Sequence, residues 1–213
     1  MQSAPTPTNL PGSIIKQKTA LLVFTRTPDP GNVKTRLLSV MDAPRAAAIQ
    51  AGLLQRTLET ARASTTDDIE LWCTPTTQHP ILLELEGRFS LTLRTQAGAG
   101  LGERMCFAME QALERYRHVA LIGSDCMDLA ASDIDLALEQ LAAGTDIVLG
   151  PALDGGYYLI GLSRLYRQLF AGIEWGTDRV LEQTRERVAQ LGLKLFELPV
   201  RRDLDRPGDL RYL

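Results

Sequence analysis

Histidine and cysteine are scarce in this chain, and neither is placed for metal or redox work. The two histidines, His79 and His118, lie far apart and are expected to face solvent, so a histidine metal cluster has no basis. Cys73, Cys106 and Cys126 are odd in number, widely spaced and without a CxxC pair, which argues against a disulfide framework or a cysteine zinc site. That usage fits a reducing cytosol. Cys126 has no paired histidine and reads as a small buried residue, not a nucleophile. No apolar run comes near the roughly 20 residues that cross a bilayer, and the leader "MQSAPTPTNLPGSIIKQK" has no apolar signal core. A basic excess is missing too. With a net charge of -3 the chain is not expected to coat nucleic acid or an anionic membrane by general electrostatics. Internal repeats, low-complexity stretches, an interdomain linker and the Walker spacing GxxxxGK[ST] are all absent.

What is present is the composition of a folded domain. The chain has 213 residues, 45% hydrophobic and 23% charged, enough for one extensive core. Residues 1–18 read as a flexible Pro/Thr-rich leader and 19–213 as a single domain. Within it, strand-like runs alternate with helix-like ones: "TALLVFT", "IELWC", "LTLRT", "VALIGSD" and "DIVLGP" are separated by helices expected over about 43–63, 79–87, 103–116 and 133–143. Ile49, Leu53, Leu58 and Ala61 form one apolar stripe, and Ile134, Ala137, Leu138 and Leu141 another. Asp42, Ser132 and Thr177 are the expected N-caps, and Gly87, Gly144 and Gly192 the expected stops. Strands joined through helices imply an α/β fold of three layers, a mostly parallel mixed sheet covered on both faces. "ALDGG" running directly into "YYLIGL" adds one hairpin, hence one antiparallel strand; "KLFELP" gives a late strand, and Pro207 starts a short terminal helix.

Ligands of open α/β sheets bind beyond the carboxyl ends of the strands, so polar clusters that follow strand-like runs carry weight. In "RTPDPGNVKTRL", Pro28 and Pro30 stiffen the chain and Gly31 allows a conformation closed to other residues. Lys34 and Arg36 there supply a point charge and a planar fork suited to phosphate oxygens. The plain alternative is a solvated turn. Asp125 in "GSDCMDL" places a hard oxygen donor at the rim of the sheet, suited to Mg2+ or Mn2+ carrying a diphosphate, or else caps a turn. Asp128 reads as turn-forming. Asp154, Gly155 and Gly156 make either a tight turn or a glycine floor with a carboxylate beside a substrate, and Asp203 and Asp205 add acid near the last strand. "QAGAGLGERM" is a helix-entry loop that could reach a ligand through Arg104; Trp72 and Trp175 read as packing residues.

Together "FTRTPDPGNVKTRL", "GLGERM", "LIGSDCMDL", "GPALDGGYYLIGL", "EWGTDRVLEQT" and "DLDRPGDL" resemble a family of GT-A-like nucleotide-diphospho-sugar transferases, long listed as a domain of unknown function. Some of its members are labelled radical-SAM/selenodomain-associated transferases or arsenosugar-biosynthesis glycosyltransferases, and its neighbours include molybdenum-cofactor and phospholactate nucleotidyltransferases. The resemblance implies a Rossmann-like GT-A sheet. It implies nucleotide and phosphate binding by Arg26, Gly31, Lys34, Arg36, Arg104 and Ser124, and a divalent ion, Mg2+ or Mn2+, on Asp125 with Asp203 or Asp205. Acceptor binding falls to Asp154, Gly155, Gly156 and Tyr157, with Asp154 and Lys34 in catalytic roles. The chain departs from the family pattern at Met127, where relatives carry proline, and at Trp175-Gly176-Thr177.

The implied reaction is transfer from a nucleotide-activated donor: glycosyl transfer from a nucleotide sugar to a small acceptor, or nucleotidyl transfer from a nucleoside triphosphate to a small phosphorylated substrate. A catalytically inactive GT-A-fold binding partner is the reading from another class.

Overall fold

The computed structural model describes residues 18–212, so the expected leader lies outside the described residues except for Lys18. In chain order the elements are β1 (Thr19–Arg26), α1 (Ala43–Arg62), β2 (Asp68–Thr74), α2 (Pro80–Phe89), β3 (Thr92–Thr95), α3 (Leu101–Leu113) and β4 (His118–Gly123). Then follow α4 (Ala131–Ala142), β5 (Ile147–Pro151), β6 (Tyr157–Leu162), α5 (Val180–Gln190) and β7 (Leu195–Glu197), with short 3-10 turns at Thr35–Ser39, Arg167–Phe170 and Pro207–Tyr212. The strands form one sheet in the order β3-β2-β1-β4-β6-β5-β7. Only β6 runs antiparallel to its neighbours, as the turn in "ALDGGYY" requires.

The period of two along β1 builds both cores. Leu21 and Val23 point into the core under α1, α2 and α4, with Leu54, Leu82 and Ile134, while Ala20, Leu22 and Phe24 enter the core under α3 and α5, with Met109 and Val188. A strand buried on both faces has to be apolar at nearly every position, which is why "ALLVF" reads as one run. The fold is the three-layer α/β/α arrangement with a mostly parallel mixed sheet.

Several helix ends differ from their sequence-based positions. Asp42 does cap α1, its Oδ1 accepting from the Arg45 amide at 2.8 Å. Helix α4 starts ahead of Ser132, because Asp133 reaches back to accept from the Ala130 amide at 3.0 Å. Thr177 takes an amide from Arg179 and sits one turn before α5. Helix α2 runs past Gly87 to Phe89 and closes on Ser90 in the left-handed region. Neither histidine is a free surface group: His79 caps α2, its Nδ1 accepting from the Ile81 amide at 3.3 Å, and His118 is buried at the start of β4 with Nδ1 2.7 Å from Ser163 Oγ.

Asp133 has a second task. Both its oxygens receive the guanidinium of Arg201, at 2.9 and 2.8 Å, and the carboxylate is almost wholly buried. The backbone of Arg201 is tied in turn to Pro151 and Leu153 beyond β5. This forked pair anchors the segment that carries Asp203 and Asp205. Because breaking a buried pair strands a charge, Asp133→Ala is expected to lower unfolding stability by about 3–5 kcal/mol, and pairing it with Arg201→Leu should recover part of the loss. Denaturant unfolding of the single and double variants checks this.

Candidate active site

The parallel strands end along one edge, and the chain order reverses between β1 and β4, which leaves a crevice outside their carboxyl ends. Two adjoining cavities occupy it, of about 460 and 930 Å3, sharing Arg36, Leu101 and Asp205 along their border. The smaller lies across the ends of β1 to β4, from Gln96 and Thr74 to Asp125. The larger lies between the Asp154–Tyr157 turn, the loop around Trp175 and the segment around Asp203.

The loop after β1 treats its two cations differently. Gly31 has φ +84 and open space around it, so its conformation and not crowding calls for glycine. Lys34 also takes the left-handed region, with φ 48, and its side chain turns inward to only 2% exposure. Its ammonium donates to the Leu204 carbonyl at 2.6 Å and lies 2.8 Å from Asp125 Oδ1, a charge contact without hydrogen-bond alignment. Lys34, expected at the phosphates, lines the smaller cavity while its ammonium is engaged by Asp125 and the Leu204 carbonyl. Arg36 remains at the surface, with its guanidinium paired to Asp205. On the outer side of the loop, Thr27 donates to Asp29, and Asp29 faces His79 at 3.6 Å.

Backbone pairing brings Asp125 and Asp203 together. An isolated bridge joins Cys126 to Asp203, with the Leu204 amide bonded to the Asp125 carbonyl at 2.9 Å and the Met127 amide to the Arg202 carbonyl at 2.8 Å. Asp128 forms part of this turn, accepting from the Arg202 amide. The two late acids are placed differently: Asp203 lies opposite Cys126, near enough to Asp125 for that charge to act on its carboxyl, and Asp205 pairs with Arg36. Asp203 Oδ1 is buried without a hydrogen-bond partner. Burial, then the charges of Asp125 and Asp154, push the Asp203 carboxyl up to about 7 against the pull of Lys34. Among the described residues no three His, Cys, Asp or Glu side chains are grouped to hold a metal ion. Two carboxylates are nonetheless enough for an ion that takes its other ligands from water and substrate phosphates, and unsatisfied, mutually repelling oxygens fit such a cation.

The turn on the far side is equally constrained. Asp154 Oδ1 accepts from the Gly156 amide at 2.9 Å, and Gly155 has φ +90. A Cβ on Gly155 would lie 2.1 Å from the Asp178 carbonyl oxygen, and the Gly155 carbonyl accepts from the Leu181 amide at 2.9 Å. Only glycine lets this turn close on the start of α5. Trp175 meets Tyr157 edge to face at 6.3 Å between ring centroids, and its indole rests where a Cβ on Gly102 would be. The second glycine of "GLGERM", Gly102, thus seats the tryptophan wall. Tyr157 Oη is buried with no partner, and burial raises its phenol.

Of the other expected nucleotide residues, Arg26 is exposed on the smaller cavity, and Arg104 lines it while donating Nε to the Gly98 carbonyl at 3.1 Å. Ser124 turns inward, accepting from Gln50 at 2.9 Å and donating to Thr25 at 3.3 Å. Gln50, Gln96, Asp178 and Arg202, which no motif in the sequence marks as site residues, also line the cavities. Gln50 was visible in principle, as a buried polar residue in the apolar stripe of α1.

Sheet order, strand ends and carboxylate placement define a Rossmann-like GT-A fold of the type used by nucleotide-dependent transferases. The chain belongs to the family described as "Uncharacterized protein conserved in bacteria (DUF2064)", whose model matches residues 57–177. A protein of Desulfovibrio desulfuricans G20 that carries a provisional nucleotide-diphospho-sugar transferase name is 33% identical, with a TM-score of 0.80 over 88% of this chain and 82% of that one. Two more distant structures share the fold. A CMP:2-keto-3-deoxy-manno-octonic acid synthetase complexed with CTP is 10% identical, with a TM-score of 0.59 over 92% of this chain and 96% of that one. The glucosyl-3-phosphoglycerate synthase of Mycobacterium tuberculosis, solved with Mn2+, UDP and glucosyl-3-phosphoglycerate, is 12% identical, with a TM-score of 0.56 over 92% and 75%. No curated protein matches the sequence.

The raised Asp203 carboxyl has a measurable consequence. The unfolded chain releases this proton near 3.8 whereas the folded one keeps it to about 7. Stability of the metal-free protein should therefore fall as pH rises through that window, with the cost fully present above it. Thermal unfolding with chelator is expected to show Asp203→Asn more stable than wild type at about pH 8 and equal to it at about pH 4.

Proposed function

We propose that the protein is a metal-dependent transferase acting on a nucleotide-activated donor, and that it moves a sugar from a nucleotide-diphosphate sugar to the hydroxyl of a small acceptor. The juxtaposition of Asp125 and Asp203 at the seam of two cavities carries this reading. The smaller cavity has the position for the nucleotide, the larger for sugar and acceptor, and the carboxylate pair lies where the diphosphate would pass between them. The provisional name of the Desulfovibrio relative points the same way.

Asp125 and Asp203 would hold a Mg2+ or Mn2+ ion, which when bound neutralises charge on a departing nucleoside diphosphate. Arg36 sits at the same border and can exchange Asp205 for a phosphate oxygen. Lys34 lines the smaller cavity, and its buried ammonium, 2.8 Å from Asp125 Oδ1, holds that carboxylate in place. Asp154 faces the larger cavity with one oxygen fixed by the Gly156 amide, leaving the other to accept the acceptor's hydroxyl proton. The acceptor's own oxygen, freed of that proton, then bonds to the anomeric carbon of the sugar as the bond from that carbon to the donor's phosphate oxygen breaks and the nucleoside diphosphate leaves. Arsenosugar biosynthesis or a radical-SAM-associated modification would be particular cases of this chemistry.

Nucleotidyl transfer is the second reading, favoured by one observation. Arg26, Arg36 and Arg104 all line the smaller cavity, a cationic set that also suits a triphosphate. There the same groups would stabilise a departing pyrophosphate.

Thermal shift with Mg2+ or Mn2+ separates the two. Stabilisation by a nucleotide sugar supports glycosyl transfer, stabilisation by a triphosphate alone supports nucleotidyl transfer, and no shift with any nucleotide overturns both. Once a donor is found, Asp154→Asn is expected to lower kcat about 10²–10⁴-fold with donor affinity little changed. Steady-state kinetics beside a direct binding titration checks that split.

A further inference from the structure

Gln96 follows β3 directly and closes one end of the smaller cavity. Its backbone amide donates to the Cys73 carbonyl at 2.9 Å, and its side-chain Nε2 donates to the Thr25 carbonyl at 3.1 Å and the Trp72 carbonyl at 2.9 Å. Both side-chain partners are carbonyl oxygens, so only the NH2 half of the amide can face them. A flipped amide would lose both bonds and set oxygen against oxygen. The side chain is therefore locked, with both N–H groups engaged. Oε1 has no partner among the described residues and is not buried, although Gln96 lines the cavity. The fold thus presents a fixed, vacant hydrogen-bond acceptor.

Its place in the sheet says what it can meet. The cavity crosses four strand ends in the order β3, β2, β1, β4, marked by Gln96, Thr74, Thr25 and Asp125. Adjacent strands lie about 4.8 Å apart, so β4 and β3 are separated by roughly 14 Å, comparable to the reach of an extended nucleoside diphosphate. If the phosphates lie at the Asp125 end, as the nucleotide reading above has it, the base lies over β2 and β3. We infer that Gln96 is a specificity residue for the base, with Oε1 accepting a hydrogen bond from an N–H on the base edge. The inference rests on that nucleotide reading and adds the chemistry of the recognised edge.

The test compares each base with an analogue that lacks the donor. ADP, CDP, GDP and UDP are titrated with Mn2+ to find the tightest binder, and the wild-type protein is then given the matching diphosphate with that N–H methylated, such as N3-methyl-UDP or N4,N4-dimethyl-CDP. The expected result is a loss of about tenfold in affinity for the methylated form, with a Gln96→Met variant binding parent and methylated forms alike. Equal wild-type affinity for the two forms overturns the inference while leaving nucleotide binding intact, and so does a Met variant that still discriminates. If none of the four diphosphates binds, the nucleotide reading fails and this inference fails with it. The wild-type comparison needs no variant, so a Gln96→Met protein that does not fold leaves a decisive measurement in place.

Discussion

The buried ammonium of Lys34 is the contact on which the rest of the site depends. It lies where three segments distant in sequence converge: the loop after β1, the end of β4 at Asp125, and the C-terminal segment at Leu204. A lysine in such a place must have partners, because an uncompensated charge there costs several kcal/mol. A carbonyl and a carboxylate supply them. The same contact fixes the depth of the loop, the position of Asp125 and, through the bridge at Cys126, the approach of Asp203. Arg201 and Asp133 brace the C-terminal segment from behind.

Positive and negative charge are consequently layered. Lysine lies below, aspartates in the middle, and arginines at the rim where the two cavities meet. Burial first, and then the charges of Asp125 and Asp154 that one buried cation does not balance, raise the Asp203 carboxyl. Such an arrangement is costly for the empty protein, and in the proposed function a divalent cation would relieve that cost. Stability is given up locally for a site that is ready before ligand binds.

Much of the fold was legible because its elements obey local rules. Apolar runs became central strands, the DGG turn became the hairpin, and Asp42 became a cap. The positions of Lys34 and Asp125 at strand exits were equally readable. The inward turn of Lys34 was not, since it depends on a carbonyl 170 residues away. Nor could local pattern separate the surroundings of Asp203 and Asp205, two residues apart; the bridge to Cys126 sets Asp203 near Asp125, while Asp205 pairs with Arg36. Ser124 faces inward for a similar reason, because Gln50 on α1 supplies its partner. His118 looked like a surface residue because its partner, Ser163, lies beyond β6.

The central claim is that Asp125 and Asp203 share one divalent cation at the seam between the nucleotide and acceptor cavities. Anomalous diffraction from crystals grown with Mn2+ and a nucleoside diphosphate tests it most directly. The expected map has a manganese peak between the two carboxylates, with the diphosphate beside it and Lys34 still beneath Asp125. A nucleotide bound across the strand ends with no manganese at that pair, or with manganese held elsewhere, would contradict it.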